Sequence, residues 1–238
     1  MQRPDLSKIK IFADGCVLED IPQLLDKAGV KGFTTNPTLM NKVGITDYEG
    51  FARKMLAAVK GLPVSLEVFA DELPEMERQA KILAGWGDNV FVKVPVTNTQ
   101  SVPTLPIISS LSKAGVKLNV TAVFTPAQID GIVEALTPGV PAIVSVFSGR
   151  IADTGVDPCP IITHALKAVA SKPGVEVLWA SCRELYNVVQ AAQVGCHIVT
   201  VPNDMLKKIG MIGKDLTELS LDTVKMFRND AVSSGFKL

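Results

Sequence analysis

Asn89-Val90-Phe91-Val92-Lys93-Val94-Pro95-Val96-Thr97 is a short apolar run, closed by Pro95, with one lysine set inside it. Four of its first six residues are Val or Phe, and the run is too short for a buried helix, so it reads as a strand covered on both faces. Strands of that kind belong to parallel sheets with helices packed outside. A lysine within one needs a physical reason, because Lys is almost never fully buried unless paired, and desolvation favours the neutral amine that can attack a carbonyl. The structural alternative places Lys93 at the strand mouth, with its ammonium extended to water.

The same strand-then-helix unit recurs on both sides of this run. Residues 8–13 carry Ile9, Ile11 and Phe12 and stop at Asp14-Gly15, a strand and a turn. Apolar residues at 18, 21, 24 and 25 give helical spacing over 18–28, with Gly29 as the stop. Residues 30–33 lead into Thr34-Thr35-Asn36-Pro37, a helix is expected over 51–59, and 64–69 form a third strand containing Glu67. A helix over 73–86 precedes the lysine strand, which is fourth, and one over 107–114 follows it. The fifth strand, 116–123, contains Asn119 and Thr121, and Thr125-Pro126 caps the helix that runs to Leu136. Strand six, 141–147, ends in Ser148-Gly149-Arg150; a helix over 161–170 precedes strand seven, 175–180, which is followed by Ser181-Cys182-Arg183 and a helix through Val194. Strand eight, 196–201, leads to a helix capped by Asn203, and a last helix over 216–227 finishes the chain.

Eight strand-helix units in a chain close to the usual ~250 residues predict a single (β/α)8 barrel, a TIM barrel spanning 1–238, with residues 215–238 as an extra C-terminal helix and tail. A doubly wound open sheet is the runner-up. No GxGxxG follows any of the strands, which removes the main positive argument for a dinucleotide fold.

Composition narrows the partners. The 238 residues are 47% hydrophobic and 20% charged, with Lys plus Arg equal to Asp plus Glu at 24 each and no long block of either sign. There is no electrostatic footprint for nucleic acid or an acidic membrane, so a small molecule is the expected partner. Cys16, Cys159, Cys182 and Cys196 are widely spaced without a CxxC, and the N-terminus lacks the apolar core of a signal peptide, which fits a reducing cytoplasm. No apolar stretch is long enough to span a bilayer. His164 and His197 are too few and too isolated for a zinc site, and no metal or cofactor is implied.

In such barrels the chemistry sits at the C-terminal ends of the strands. The residues expected there form one chemical set: Asp14, Asn36, Glu67, Lys93, Asn119 and Thr121, Ser145, Arg150, Ser181 and Arg183. A lysine kept neutral can form a Schiff base with a ketone, and the iminium then serves as an electron sink for breaking or making the adjacent carbon-carbon bond. The proton shuttle would be a carboxylate, Asp14 or Glu67, working directly or through a water held by Thr121. Arg150 and Arg183 follow adjacent strands where phosphate sites often form, and Arg matches a phosphate bidentately. The structural alternative is a lysine and two acids that merely satisfy one another as a buried ion pair.

Phe12-Ala13-Asp14, Thr34-Thr35-Asn36-Pro37, Val92-Lys93-Val94-Pro95-Val96-Thr97, Asn119-Val120-Thr121, Ser145-Val146-Phe147-Ser148-Gly149-Arg150 and Ala180-Ser181-Cys182-Arg183 together resemble the transaldolase family, including its short members and fructose-6-phosphate aldolase. The resemblance implies Lys93 as the Schiff-base lysine, Asp14 as the acid/base at the sugar hydroxyl, and Glu67 with Thr121 as holders of the catalytic water. It implies Thr34, Asn36, Asn119 and Ser145 at substrate hydroxyls or around the lysine, and Arg150 and Arg183, helped by Ser181, at a terminal phosphate. Glu67 resembles transaldolases where the free aldolases carry Gln, and Phe147 stands where those aldolases carry Tyr; the short chain resembles the aldolase branch. The expected reaction is transfer of a dihydroxyacetone unit from a ketose 6-phosphate to an aldose phosphate.

Two rival expectations accompany it. Two arginines and a serine would also bind a sulfonate, as in 6-deoxy-6-sulfofructose, and Cys182 stands where the family usually has Phe. A non-catalytic barrel binding sugar phosphates is the other. The last helix, with Leu219, Val224 and Phe227 on a partly apolar face, suggests a homo-oligomer; in short family members the resemblance implies a helix that crosses to the next subunit, with packing over its own barrel as the alternative.

Overall fold

The computed structural model describes residues 4–15, 17–27 and 29–237, and within them the eight expected strands close into one parallel barrel. They are β1 (Lys10–Asp14), β2 (Gly32–Thr34), β3 (Val64–Glu67), β4 (Val90–Pro95), β5 (Leu118–Val123), β6 (Ala142–Val146), β7 (Val175–Trp179) and β8 (Ile198–Pro202). Each strand pairs with its sequence neighbours, and β1 pairs with β8 from Lys10 opposite Ile198 to Asp14 opposite Pro202. That closing pair rules out the open doubly wound sheet, which would leave two strand edges.

The helices follow in alternation: α1 (Ile21–Lys27), α2 (Pro37–Lys42), α3 (Tyr48–Ala58), α4 (Leu73–Ala84), α5 (Leu105–Lys113), α6 (Pro126–Ala135), α7 (Ser148–Asp153), α8 (Cys159–Val169), α9 (Tyr186–Gln193), α10 (Asn203–Leu206) and α11 (Leu216–Ser233). The short α2 and α7 were not expected from the sequence. The cap expected from Thr125-Pro126 is present as a full capping box with Gln128. Asn203 opens α10 instead of capping it, because Pro202 takes the N-cap position. The expected end of the first helix at Ala28, the thiol of Cys16 and the C-terminal Leu238 lie outside the described residues.

Strand alternation sorts side chains into two layers. One set, including Val64, Val92, Val94, Val120, Val144 and Val177, packs outward under the helices. The other, Phe12, Ile143, Leu178, Ala180 and Ile198 with Phe91 and Phe147 against them, fills the barrel interior. The interior is therefore plugged with hydrocarbon below, and polar side chains occupy the layer above it, at the strands' C-terminal ends.

One strand breaks the alternation. Between β5 and β6 the register runs from Val120 opposite Val144 to Val123 opposite Val146, so Thr121 and Ala122 together face a single residue of β6. Ala122 takes φ +58°, the left-handed conformation that relieves such a β-bulge. The extra residue keeps Val123 outward in the core while two consecutive side chains, Thr121 and Ala122, line the cavity.

Among the described residues no helix is long and apolar enough to cross a membrane. Helix α11 buries none of its residues: Leu216, Leu221, Val224, Met226 and Val232 are exposed, and Phe227 is 63% exposed. Packing over its own barrel, the alternative raised by the sequence, is not what this helix does.

Candidate active site

At the C-terminal end of the barrel a cavity of about 690 Å³ opens over the hydrocarbon plug. Parallel register brings Glu67, Lys93 and Asn119 side by side on β3, β4 and β5, all pointing inward. Lys93 is 7% exposed, and its Nζ lies 3.0 Å from Glu67 Oε2 and donates to the Thr35 carbonyl at 3.0 Å. An ammonium held this way does not reach out to solvent, so the snorkelling alternative fails.

Asp14 ends β1 on the same cavity wall and accepts a hydrogen bond from Thr34 Oγ1 at 2.8 Å. Thr34 in turn lies 2.6 Å from Thr200 Oγ1, which gives β8 a place in the site that the sequence reading did not assign. Burial raises the Asp14 carboxyl above its ordinary range, against the opposing charge of Lys93 and the Thr34 hydrogen bond, and the negative charge of Glu67 adds to the rise. A carboxyl whose proton affinity is raised by burial beside a lysine is suited to moving protons to and from a hydroxyl.

Thr121 lines the cavity, is 2% exposed, and its hydroxyl has no hydrogen-bond partner within the described protein. Buried hydroxyls are normally paired, so this one is available to a water or a substrate oxygen. Asn119, by contrast, does not line the cavity. Its amide donates to Ser65 Oγ at 2.9 Å and its carbonyl accepts from Ser145 Oγ at 2.6 Å, which makes it the hidden brace of a chain whose other end, Ser145, does line the cavity. Asn36 lines the cavity but commits its Oδ1 to the Leu39 amide as the cap of α2.

The far rim is built where α7 meets the end of β7. Gly149 N donates to the Ala180 carbonyl at 3.2 Å, and a Cβ at Gly149 would sit 1.6 Å from the Ser181 carbonyl oxygen, so only glycine permits this approach. Ser181 itself holds φ +61°, a strained conformation that clusters at functional sites. Arg150 projects from α7 with its guanidinium carbon 5.2 Å from the Phe147 ring centre. Arg183, after β7, donates Nε and Nη2 to the Asp153 carboxylate at 2.9 and 2.6 Å. Both arginines line the cavity, as do Ser181, Phe147 and Cys182. Burial, and then the charge of Asp14, push the Cys182 thiol up to about 12, so it is an inert small side chain at neutral pH.

Lys42, Asp204, Ala122 and Thr200 also line the cavity and were not foreseen. Thr200 carried a faint signal, a hydroxyl inside the apolar run of β8; the other three depend on how α2, α10 and the bulge are placed. The two histidines lie elsewhere. His197 Nδ1 accepts from the Val177 amide, and His164 pairs with Asp130 at 2.7 Å on the outer helices.

Comparison with known proteins finds relatives along most of the chain. A family model described as transaldolase/fructose-6-phosphate aldolase matches residues 11–238. Similar proteins include a "Probable transaldolase" of Dehalococcoides mccartyi, 38% identical over 203 residues and covering 84% of this chain and 90% of that one. Another of the same description, from Streptococcus equi subsp. zooepidemicus, is 34% identical over 229 residues, 94% of this chain and 99% of its own. A third, from Nitrosopumilus maritimus, is 36% identical over 216 residues, 90% and 92% of the two chains. Among solved structures, KGPDC from Streptococcus mutans aligns with TM-score 0.54 at 13% identity, covering 87% of this chain and 91% of that one. A mandelate oxidase aligns with TM-score 0.55 at 15% identity, covering 87% and 72%. Likeness at that identity concerns the barrel alone.

Proposed function

The chain belongs to the transaldolase/fructose-6-phosphate aldolase family, and from that premise we propose that it moves a dihydroxyacetone unit from a ketose 6-phosphate such as fructose 6-phosphate to an aldose phosphate such as erythrose 4-phosphate. The observation that carries this reading is Lys93, buried at the cavity floor with Glu67 and the Thr35 carbonyl at 3.0 Å. Glu67 takes the proton that frees the Lys93 amine, which adds to the ketose carbonyl and loses water to give the Schiff base. Asp14 takes the proton of the C4 hydroxyl as the C3–C4 bond breaks and the iminium accepts the electron pair. The aldose phosphate leaves, and an acceptor aldehyde enters to re-form the bond in the reverse sense.

Thr121, with Glu67, holds the water that moves protons and finally hydrolyses the Schiff base, a role that suits its unpaired buried hydroxyl. Thr34 orients Asp14, Ser145 and Asn36 contact sugar hydroxyls, and Asn119 acts through Ser145. Arg150, Arg183 and Ser181 receive the terminal anion. Glu67 and Phe147 favour transfer over release of the three-carbon unit, as their resemblance to transaldolases implies. The setting is cytoplasmic, which fits the free thiols of Cys159, Cys182 and Cys196, and the working form is a homo-oligomer in which a neighbouring copy covers the exposed apolar residues of α11.

Borohydride reduction in the presence of the donor ketose tests the mechanism. It should add a three-carbon unit to the peptide containing Lys93; an unmodified Lys93 alongside active turnover would refute it.

A further inference from the structure

The two arginines at the rim are not equivalent. Arg150 makes no ion pair among the described residues, whereas Arg183 is held bidentately by Asp153, with Nε 2.9 and 3.2 Å from the two carboxylate oxygens and Nη2 2.6 Å from one of them. That commits the Nε side of the guanidinium and leaves Nη1, with the second proton of Nη2, for a ligand. Asp153 is not a wandering surface carboxylate. It closes α7, three residues after Arg150 and so on the same helical face, and the start of α7 is pinned to the end of β7 through Gly149.

The charge at this end of the cavity follows. Two guanidinium groups and one carboxylate leave one net positive charge. The other rim charges, Lys42 after β2 and Asp204 after β8, are one of each sign, and Asp14, Glu67 and Lys93 lie at the floor. A terminal group with one negative charge is balanced here. A doubly charged group leaves one charge uncompensated and faces twice the repulsion from Asp153, or must displace Asp153 from Arg183 and leave that carboxylate unpaired.

We infer that Asp153 determines specificity: it matches the site to a substrate whose terminal group carries a single negative charge, a sulfonate or a singly ionised phosphate monoester, in preference to a fully ionised phosphate. The inference rests on the reading that Arg150 and Arg183 receive the substrate's terminal anion. It acts through Arg183, without contact between Asp153 and the reacting atoms.

The test uses hexitols made by reducing fructose 6-phosphate and 6-deoxy-6-sulfofructose. They lack the carbonyl, so they report anion recognition independently of Schiff-base chemistry. Dissociation constants are measured by calorimetry at pH 8, where a phosphate monoester, with a second pKa of about 6, is fully ionised. The unaltered protein should bind the sulfonate at least as tightly as the phosphate. Asp153→Asn should move the ratio toward the phosphate by about fivefold, the scale of a half-exposed charge pair, and Asp153→Glu, which keeps the charge, should hold the original ratio. A ratio unchanged in Asp153→Asn, the same shift in both variants, or binding of neither hexitol overturns the inference. A failed borohydride trap at Lys93 with the expected shift in ratio would instead count against the Schiff-base mechanism alone.

Discussion

Replacing Gly149 with Ala should damage the anion rim and leave the lysine chemistry in place. The added Cβ would lie 1.6 Å from the Ser181 carbonyl oxygen and 2.7 Å from its carbonyl carbon, both backbone atoms that no rotamer change can move. Relief to an ordinary contact of roughly 3 Å requires α7 and the end of β7 to part by more than an ångström, which also strains the hydrogen bond from Gly149 N to the Ala180 carbonyl. Overpacking of this kind costs about 1–3 kcal/mol, or roughly 2–12 °C in melting midpoint for a chain of this size. Because Arg150 rides on α7 and Arg183 on the chain after β7, the same displacement separates the two guanidinium groups. Lys93, on β4, is three strands away from β7 around the barrel. The Michaelis constant for the phosphorylated ketose should therefore rise about tenfold or more, with kcat falling less. Thermal unfolding and steady-state kinetics on the purified variant read both quantities. An unchanged midpoint with an unchanged Michaelis constant would refute the packing argument, and a loss confined to kcat would refute the assignment of this junction to anion recognition.

Three further outcomes are expected. Asp14→Asn should reduce turnover by about 10²–10⁴-fold, the usual contribution of a general acid/base, yet raise the melting midpoint at pH 7. The sign comes from burial: the native carboxyl holds its proton to higher pH than its ordinary value of 3.8, so native stability falls as pH rises through the window above it, and the variant's advantage should vanish in scans taken near pH 4. Thr121→Val should lower kcat by about tenfold or more without destabilising the protein, because its hydroxyl makes no hydrogen bond within the described protein; a fall in melting midpoint instead would show a structural role. Leu221→Glu with Phe227→Glu should convert the assembly into smaller species by light scattering while circular dichroism of the barrel persists, and an unchanged particle mass would remove α11 from the interface.

The sequence made the barrel legible because each strand is an apolar run bounded by turn residues, and because a doubly covered strand has no other reading. Lys93, Asp14 and Glu67 were visible for the converse reason: charges inside such runs are conspicuous, and the barrel brings them to one end. What stayed hidden was local or reciprocal. Helices α2 and α7 have six residues each, too few to show periodicity, although Asn36-Pro37 carried a cap signal that the structure uses. Asn119 was foreseen as an inward residue, but whether it would face substrate or brace Ser145 depended on Ser65 reaching its amide. Asp153 gave no signal at all, since an acid at the end of a short helix looks like any solvated charge until Arg183 is found beside it.

The bulge at Thr121 and Ala122 has a consequence for how this chain can vary in length. A strand face is a matter of parity, and the bulge absorbs one extra residue without changing it, so that Thr121 stays inward and Val123 outward. Removing Ala122 would restore the regular ladder and leave Val123 opposite Val146 and in the core, whereas a residue gained or lost where no bulge absorbs it would turn Val123 into the cavity. The chain can therefore lose one residue at this point and keep the boundary between core and site along the rest of the strand, while a Gly or Asn at position 122 would keep the bulge and ease the left-handed turn.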